Sequence, residues 1–440
     1  MRSLLVVVVC LFAAPAFAQS PASSEVRLKA DTTLALGELH RAAEASDPRA
    51  REIGLLEQQW TLRDRNLAVL RLPSVGVDGQ AQYQTDVPAS PFISPGGTPL
   101  FQAPKATYDA SLRVEQRLFD PTLSRQAAVQ RAVLAEDQSR VRTALYALRQ
   151  QVNDAFFAVA LLDQRAGVLT AAIDDLAARA KEMDARVREG TAVFADFASI
   201  EAMRIQRQQE ADELRSSRGA AIERLATIVG RSIDPAAVPV LPDLAATVNR
   251  AQADGTSAAG RPEFVQFART RDRLARQREA AIAQAEPKVS AYGRVGYGRP
   301  GLNFIGDEFD TFGVVGLRLQ WNAWSWNTPT RESEIARLQA DIVTAEEQSF
   351  TRSLQQSTTT DLATIARLER TVASDVQIIE LREAVERTAR ARMQEGVMTA
   401  ADYVSRQTEL VQARYARASH EVELAQARAR LLVTLGVEVP

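Results

Sequence analysis

Fourteen apolar residues stand at alternating intervals of four and three between positions 141 and 187. They are Val141, Leu145, Leu148, Val152, Ala155, Val159, Leu162, Ala166, Leu169, Ile173, Leu176, Ala180, Met183 and Val187. A seam held for more than six heptads is the pattern of a coiled coil. Helix is expected from about Pro121 to Glu189, a rod roughly 100 Å long at the usual rise per residue. No compact globular domain needs such a rod. A second helix is expected over 330–394. It opens on the same spacing (Ile335, Leu338, Ile342, Ala345) and turns polar at SLQQSTTT, 353–360, where the seam weakens.

Both rods end alike. The first closes with ARVREGTAVFADF (185–197) and the second with ARMQEGVMTAADY (391–403). Ala, Arg, Glu, Gly, Ala and Asp coincide at an offset of 206, and Leu225 and Gly230 match Leu431 and Gly436 in the same register. The chain is therefore an internal duplication. Gly190 and Gly396 fit left-handed helix caps, and each is followed by another helix of about thirty-five residues. Each half thus carries a long antiparallel helical hairpin, expected at about 121–230 and 328–436. Residues 231–260, rich in Pro, Asp and Gly, read as the linker between a first repeat (19–230) and a second (261–440).

Strands repeat as well, at about 74–84 and 106–118 in the first half and about 288–298 and 311–322 in the second. In PSVGVDGQAQY (73–83), Val75, Val77, Gly79, Ala81 and Tyr83 alternate with Gly76, Asp78, Gln80 and Gln82. In PKVSAYGRVGY (287–297), Val289, Ala291, Gly293, Val295 and Tyr297 alternate with Ser290, Tyr292, Arg294 and Gly296. The partner strands put Leu112, Val114, Val315, Leu317 and Leu319 opposite Ser111, Arg113, Glu115, Gly316 and Arg318. Strands of roughly ten residues, apolar on one side and polar on the other, suit a transmembrane barrel with a wet interior. A pair of soluble hairpins is the other reading. Four strands cannot close a barrel, and an open edge cannot stand in lipid. If these strands span a membrane, several chains share one barrel. The hairpin loops, 84–106 and 298–310, are rich in Pro and Gly, as external barrel loops are.

Three of the four tryptophans, Trp321, Trp324 and Trp326, fall in GLRLQWNAWSWN (316–327), where a strand gives way to a rod. Phe119 takes the equivalent place in the first half. Indole favours the membrane–water interface, because its ring is apolar and its N–H needs a wet partner. A packed aromatic cluster under a soluble hairpin is the alternative.

The N-terminus bears on the compartment. MRSLLVVVVCLFAAPAFAQS has Arg2, an apolar core from Leu4 to Ala14 and the small-residue site Ala16-Phe17-Ala18. This is a signal peptide, 1–18, with cleavage expected after Ala18. Cys10, the only cysteine, lies within it without a Leu-Ala-Gly lead for lipidation, so no disulfide is expected. No later segment reads as a spanning helix; Ala155 to Leu162 is short and flanked by Asp154 and Asp163. With 53 basic and 55 acidic residues, the chain lacks the basic excess of a nucleic-acid binder. Gly296, Gly298 and Gly301 fit a dinucleotide fingerprint by letters only, because Pro300 and a loop follow where a helix must open. The two histidines, His40 and His420, stand apart on helical stretches, and acidic residues are evenly spread. No catalytic constellation, metal site or cofactor is expected.

Signal peptide, duplicated strand–strand–long-helix halves and two EG-x5-D turns together resemble the TolC family of outer-membrane efflux proteins, over about residues 30–436. The resemblance implies a homotrimer in the outer membrane, with four strands per chain forming a twelve-stranded barrel. The helices would form a periplasmic tunnel with an equatorial belt. It implies a passive exit duct for a tripartite pump or type I secretion system, with a periplasmic adaptor and an inner-membrane transporter as partners, and no enzyme activity. By the same resemblance, Glu189, Gly190, Thr191, Glu395, Gly396 and Val397 are the adaptor-docking tips. Asp402 matches a pore-facing acidic position at the periplasmic aperture, with Asp196 as its repeat mate. Three inward carboxylates around one axis would select by charge; solvated helix-start aspartates are the plainer reading. Ser405 stands where the family has a second acid, and Met393 and Met398 stand where it has Tyr and Arg. A weaker acidic ring and a closed state held by packing are expected. A periplasmic coiled-coil adaptor is the alternative function, although an adaptor usually carries one helical hairpin and not two.

Overall fold

The computed structural model describes residues 33–97, 100–253, 258–303 and 307–439. The signal segment lies outside the described residues. In chain order come β1 (Thr33–Leu34), α1 (Leu36–Ser46), α2 (Ala50–Val69), β2 (Ser74–Tyr83) and β3 (Ala106–Phe119). Then follow α3 (Pro121–Tyr146), α4 (Leu148–Arg188), α5 (Phe194–Val229), β4 (Val238–Pro239), α6 (Ala245–Ala253) and α7 (Pro262–Ala283). The chain ends with β5 (Lys288–Arg299), β6 (Asp310–Gln320), α8 (Thr328–Gln394) and α9 (Ala400–Leu435).

The alternation read from the sequence sets the sheet. Four antiparallel strands lie in the order β2-β3-β5-β6. Val75, Val114, Gly293 and Val315 share one cross-strand row, and Val77, Leu112, Val295 and Gly313 the next on that face. This face is open: Val77 is 81% and Val315 91% exposed. The opposite face is polar and self-paired. Arg113 meets Asp78 at 2.9 Å, Arg294 meets Asp109, and Arg318 approaches Glu115 at 3.8 Å. Among the described residues the outer edges of β2 and β6 have no strand partner. The letters of the dinucleotide fingerprint fall at the end of β5 and the turn after it.

Helices extend the sheet. α2 packs on α3, α3 on α7 and α7 on α8, so α2 and α8 form the two rims of this layer, beneath the edge strands they adjoin. Farther along, α4 packs on α5, α8 on α9 and α4 on α9. Every residue of the heptad seam is buried or half-buried. The expected single helix, however, breaks at Ala147 into α3 and α4. The break falls where the neighbours change: α3 leans on α2 and α7, α4 on α1, α5 and α9. By contrast α8 runs unbroken for 67 residues through its polar stretch.

The main core lies at this level. Leu39, Phe156, Phe157, Leu225, Leu244 and Leu431 are buried there. The linker 231–260 contributes to it. It carries β4, which pairs in parallel with β1, and α6, whose Val248 and Ala251 are buried. The sequence reading of helix breakers missed these two short elements. α3 and α4 together are also long and apolar enough to cross a membrane by length and composition, contrary to the expectation. Phe156, Phe157, Val159 and Ala160 of that stretch are buried in the core.

Each histidine has a polar side-chain partner on a neighbouring helix. His40 Nε2 lies 2.7 Å from Asn153 Oδ1, and His420 Nδ1 2.6 Å from Asp375 Oδ2. Burial pushes the His40 imidazole below its ordinary value. Among the described residues no three His, Cys, Asp or Glu side chains converge as a metal site requires.

Candidate functional site

The two hairpin tips are built identically. Glu189 ends α4, and Gly190 follows at φ +74°. The Gly190 N–H donates to the Val187 carbonyl at 3.1 Å and the Thr191 N–H to the Arg186 carbonyl at 2.9 Å. Gly396 and Val397 repeat both bonds onto Met393 and Arg392. Paired bonds of this kind around a left-handed residue close a helix without stranding its last carbonyls. The tips also touch: Arg186 donates to the Gln394 carbonyl at 3.0 Å. Glu189, Gly190, Thr191, Glu395, Gly396 and Val397 are all exposed. Val193 and Phe194 stand exposed beside them, giving the end an apolar edge.

The two aspartates differ in use. Asp196, in the first turn of α5, accepts the Ala400 N–H at 3.0 Å and so caps α9 of the other hairpin. Asp402 pairs with its own N-cap: Thr399 accepts the Asp402 N–H at 3.2 Å and donates its hydroxyl to the carboxylate at 2.8 Å. This reciprocal cap leaves Asp402 exposed, with Ser405 exposed one turn on. Above them Met393 is buried with Leu176, Met183, Ile200 and Tyr403, and Met398 packs against that cluster.

Sequence reasoning missed the charged group within this cluster. The Tyr403 hydroxyl lies 3.0 Å from Glu386 Oε1 and 3.2 Å from Asp175 Oδ2. Arg390 reaches Glu386 at 2.7 Å and Asp175 at 3.6 Å, and Arg179 reaches Asp175 at 3.5 Å. Burial, reinforced by the two carboxylates, pushes the phenol far above its ordinary value. One hydroxyl thus ties α4, α8 and α9 together just behind the tips. The repeat marks the position as aromatic, since Phe197 is the mate of Tyr403, but it gives no sign of the hydroxyl or of its charged partners.

At the opposite end, Trp321 follows β6 and donates its indole N–H to the Ala285 carbonyl at 3.1 Å. Trp324 and Trp326 meet edge to face at 5.6 Å, each 75% exposed. Trp326 and Asn327 both take positive φ, at +52° and +59°, to turn the chain into α8. Phe119, at the end of β3, is also exposed. It precedes Asp120, which caps α3 by accepting the Thr122 N–H at 3.1 Å.

No family model and no curated protein matches this sequence, but solved structures match its fold. The outer-membrane channel OprN is 18% identical at a TM-score of 0.62, over 91% of this chain and 89% of that one. The outer membrane protein VceC of Vibrio cholerae is 16% identical at 0.64, over 91% and 96%. The MtrE outer membrane channel of Neisseria gonorrhoeae, in its open state, is 18% identical at 0.64, over 92% and 89%. From sheet to hairpin tips, this chain has the single-chain fold of solved outer-membrane channels, as its resemblance to the TolC family leads one to expect.

Proposed function

We propose that the protein is a passive outer-membrane exit duct of the TolC type, three copies sharing one twelve-stranded barrel above a periplasmic helical tunnel. The observation that carries this reading is the open sheet. Its apolar face is bare, its polar face carries ion pairs between neighbouring strands, and both edges are unpaired among the described residues. Lipid admits such strands only in a closed barrel. The rims beneath the edges are apolar too. Leu55, Leu62 and Val69 line α2 at heptad spacing, and Ile335, Leu338 and Ile342 line α8, all exposed. Joining α8 and β6 of one copy to α2 and β2 of the next buries both stripes and pairs both edges. Exposed Trp324, Trp326 and Phe119 then fall at the membrane boundary, where amphipathic rings are favoured. In detergent, with the detergent mass subtracted, light scattering is expected to give the molar mass of a trimer. A monomer that washes off the membrane overturns the reading.

The tips are the docking points for a periplasmic adaptor that joins the duct to an inner-membrane transporter. Their exposed Glu-Gly turns and apolar edge support this. The likeness to channels along nine-tenths of the chain favours a duct over the adaptor itself. It also favours a role without catalysis. Asp402, which is exposed, is the residue we assign to the aperture ring, ahead of the half-buried Asp196 that caps the other hairpin. Asp402→Ala is expected to weaken cation block or cation selectivity of the reconstituted channel. Unchanged conductance and block remove the assignment.

A further inference from the structure

The polar face of the sheet carries aromatic rings laid on glycines. We propose that Gly316 sets the width of the lumen by giving Tyr292 a place flat against the wall. The inference rests on the duct reading, which turns this face inward. Gly316 and Tyr292 are cross-strand partners on β6 and β5. A Cβ at Gly316 would lie 2.7 Å from the Tyr292 hydroxyl oxygen and 2.8 Å from Cζ, so the ring covers the glycine. The Arg318 guanidinium sits 4.9 Å from the ring centroid on Tyr292, with Glu115 beside it. A second pair repeats the device. Phe312 lies over Gly296, its Cζ 2.6 Å from where a Cβ would stand, and Arg294 sits 5.2 Å from its ring centroid. Each ring is held between a glycine floor and a charge-paired arginine. Phe312 is buried on this face as a result, next to the buried Ser111.

The two floors differ in what they tolerate. At Gly296 a Cβ would also meet the Ala110 carbonyl oxygen and Ser111 Cβ, both at 2.7 Å. There the neighbouring strand blocks any side chain. At Gly316 the three nearest atoms all belong to the Tyr292 ring. A ring can move, and with the wall beneath it the open direction is the lumen. A methyl at 316 therefore lifts Tyr292 into the pore, three times over in a trimer.

The test is single-channel conductance of the full-length protein in planar bilayers, for wild type, Gly316→Ala, Tyr292→Ala and the double variant, each first shown to be trimeric. Tyr292→Ala is expected to conduct as wild type does, because the ring is already out of the way. Gly316→Ala is expected to fall about two-fold, since twelve strands lie between the eight whose interiors side chains fill and the sixteen that leave a broad channel. The double variant should return to the wild-type value. Gly316→Ala at full conductance, or a double variant that stays narrow, overturns the proposal. So does a Tyr292→Ala channel markedly wider than wild type, and that variant alone decides if Gly316→Ala does not assemble. A wild type that opens no channel removes the duct reading itself.

Discussion

Replacing Tyr403 by Phe takes a single oxygen from a group of two carboxylates and two guanidiniums in which Glu386 is buried and Asp175 half-buried. The loss leaves the buried Glu386 carboxylate short of a donor, which costs about 1–3 kcal/mol. The pH dependence has a defined sign. Burial holds the folded phenol protonated above its ordinary range, so the unfolded chain ionises first, near pH 10. The hydroxyl therefore contributes fully below about pH 10 and progressively less as pH rises towards the folded value. Chemical denaturation of the detergent-solubilised protein should show wild type ahead of Tyr403→Phe at neutral pH, with the gap closing above about pH 10. Equal stabilities at neutral pH would mean that the group contributes nothing to the fold. This residue was not legible beforehand. The heptad spacing identifies which positions turn inward, but it does not say that Asp175, Glu386 and Arg390 meet around one hydroxyl from three different helices.

Helix ends were legible where chemistry is local. Gly190 and Gly396 cap their helices in the left-handed form expected of them, and Gly230 and Gly436 take the same form. Their surroundings separate these equivalents. A Cβ at Gly190 meets nothing within 4 Å, whereas one at Gly230 would lie 2.6 Å from Ser46 Cβ, whose hydroxyl donates to the Val229 carbonyl. Gly190→Ala should cost only the backbone strain of a left-handed alanine, about 1–2 kcal/mol. Gly230→Ala should cost clearly more, as thermal unfolding of the pair can show; equal losses would deny the Ser46 contact any role. The break at Ala147 was illegible for the converse reason. Its seam residues continue without interruption across it, and only the change of neighbouring helices distinguishes α3 from α4. The linker misled differently, since two-residue strands such as β1 and β4 leave no periodicity to read.

For the whole molecule, period-two and heptad patterns together specified strands, rods and duplication, because each pattern is repeated and each faces one environment. Assembly depends on faces that a single chain leaves bare. Leu62, in the middle of the α2 stripe, is 60% exposed in one copy. Burying a leucine contributes about 1.5–3 kcal/mol, and the proposed trimer would bury three. Leu62→Asp is expected to shift the detergent-solubilised protein from trimer to monomer at micromolar concentration. A trimer of undiminished stability would place the interface elsewhere. The open sheet also constrains biogenesis. If the proposed duct is right, a chain in transit to the membrane carries two adhesive strand edges and a naked apolar face, the features that drive edge-to-edge aggregation. In the proposed trimer, its survival depends on meeting two sister chains, or a holding chaperone, before it meets a stray strand. Overproduction without matching assembly capacity should therefore yield insoluble protein first and excess channels never.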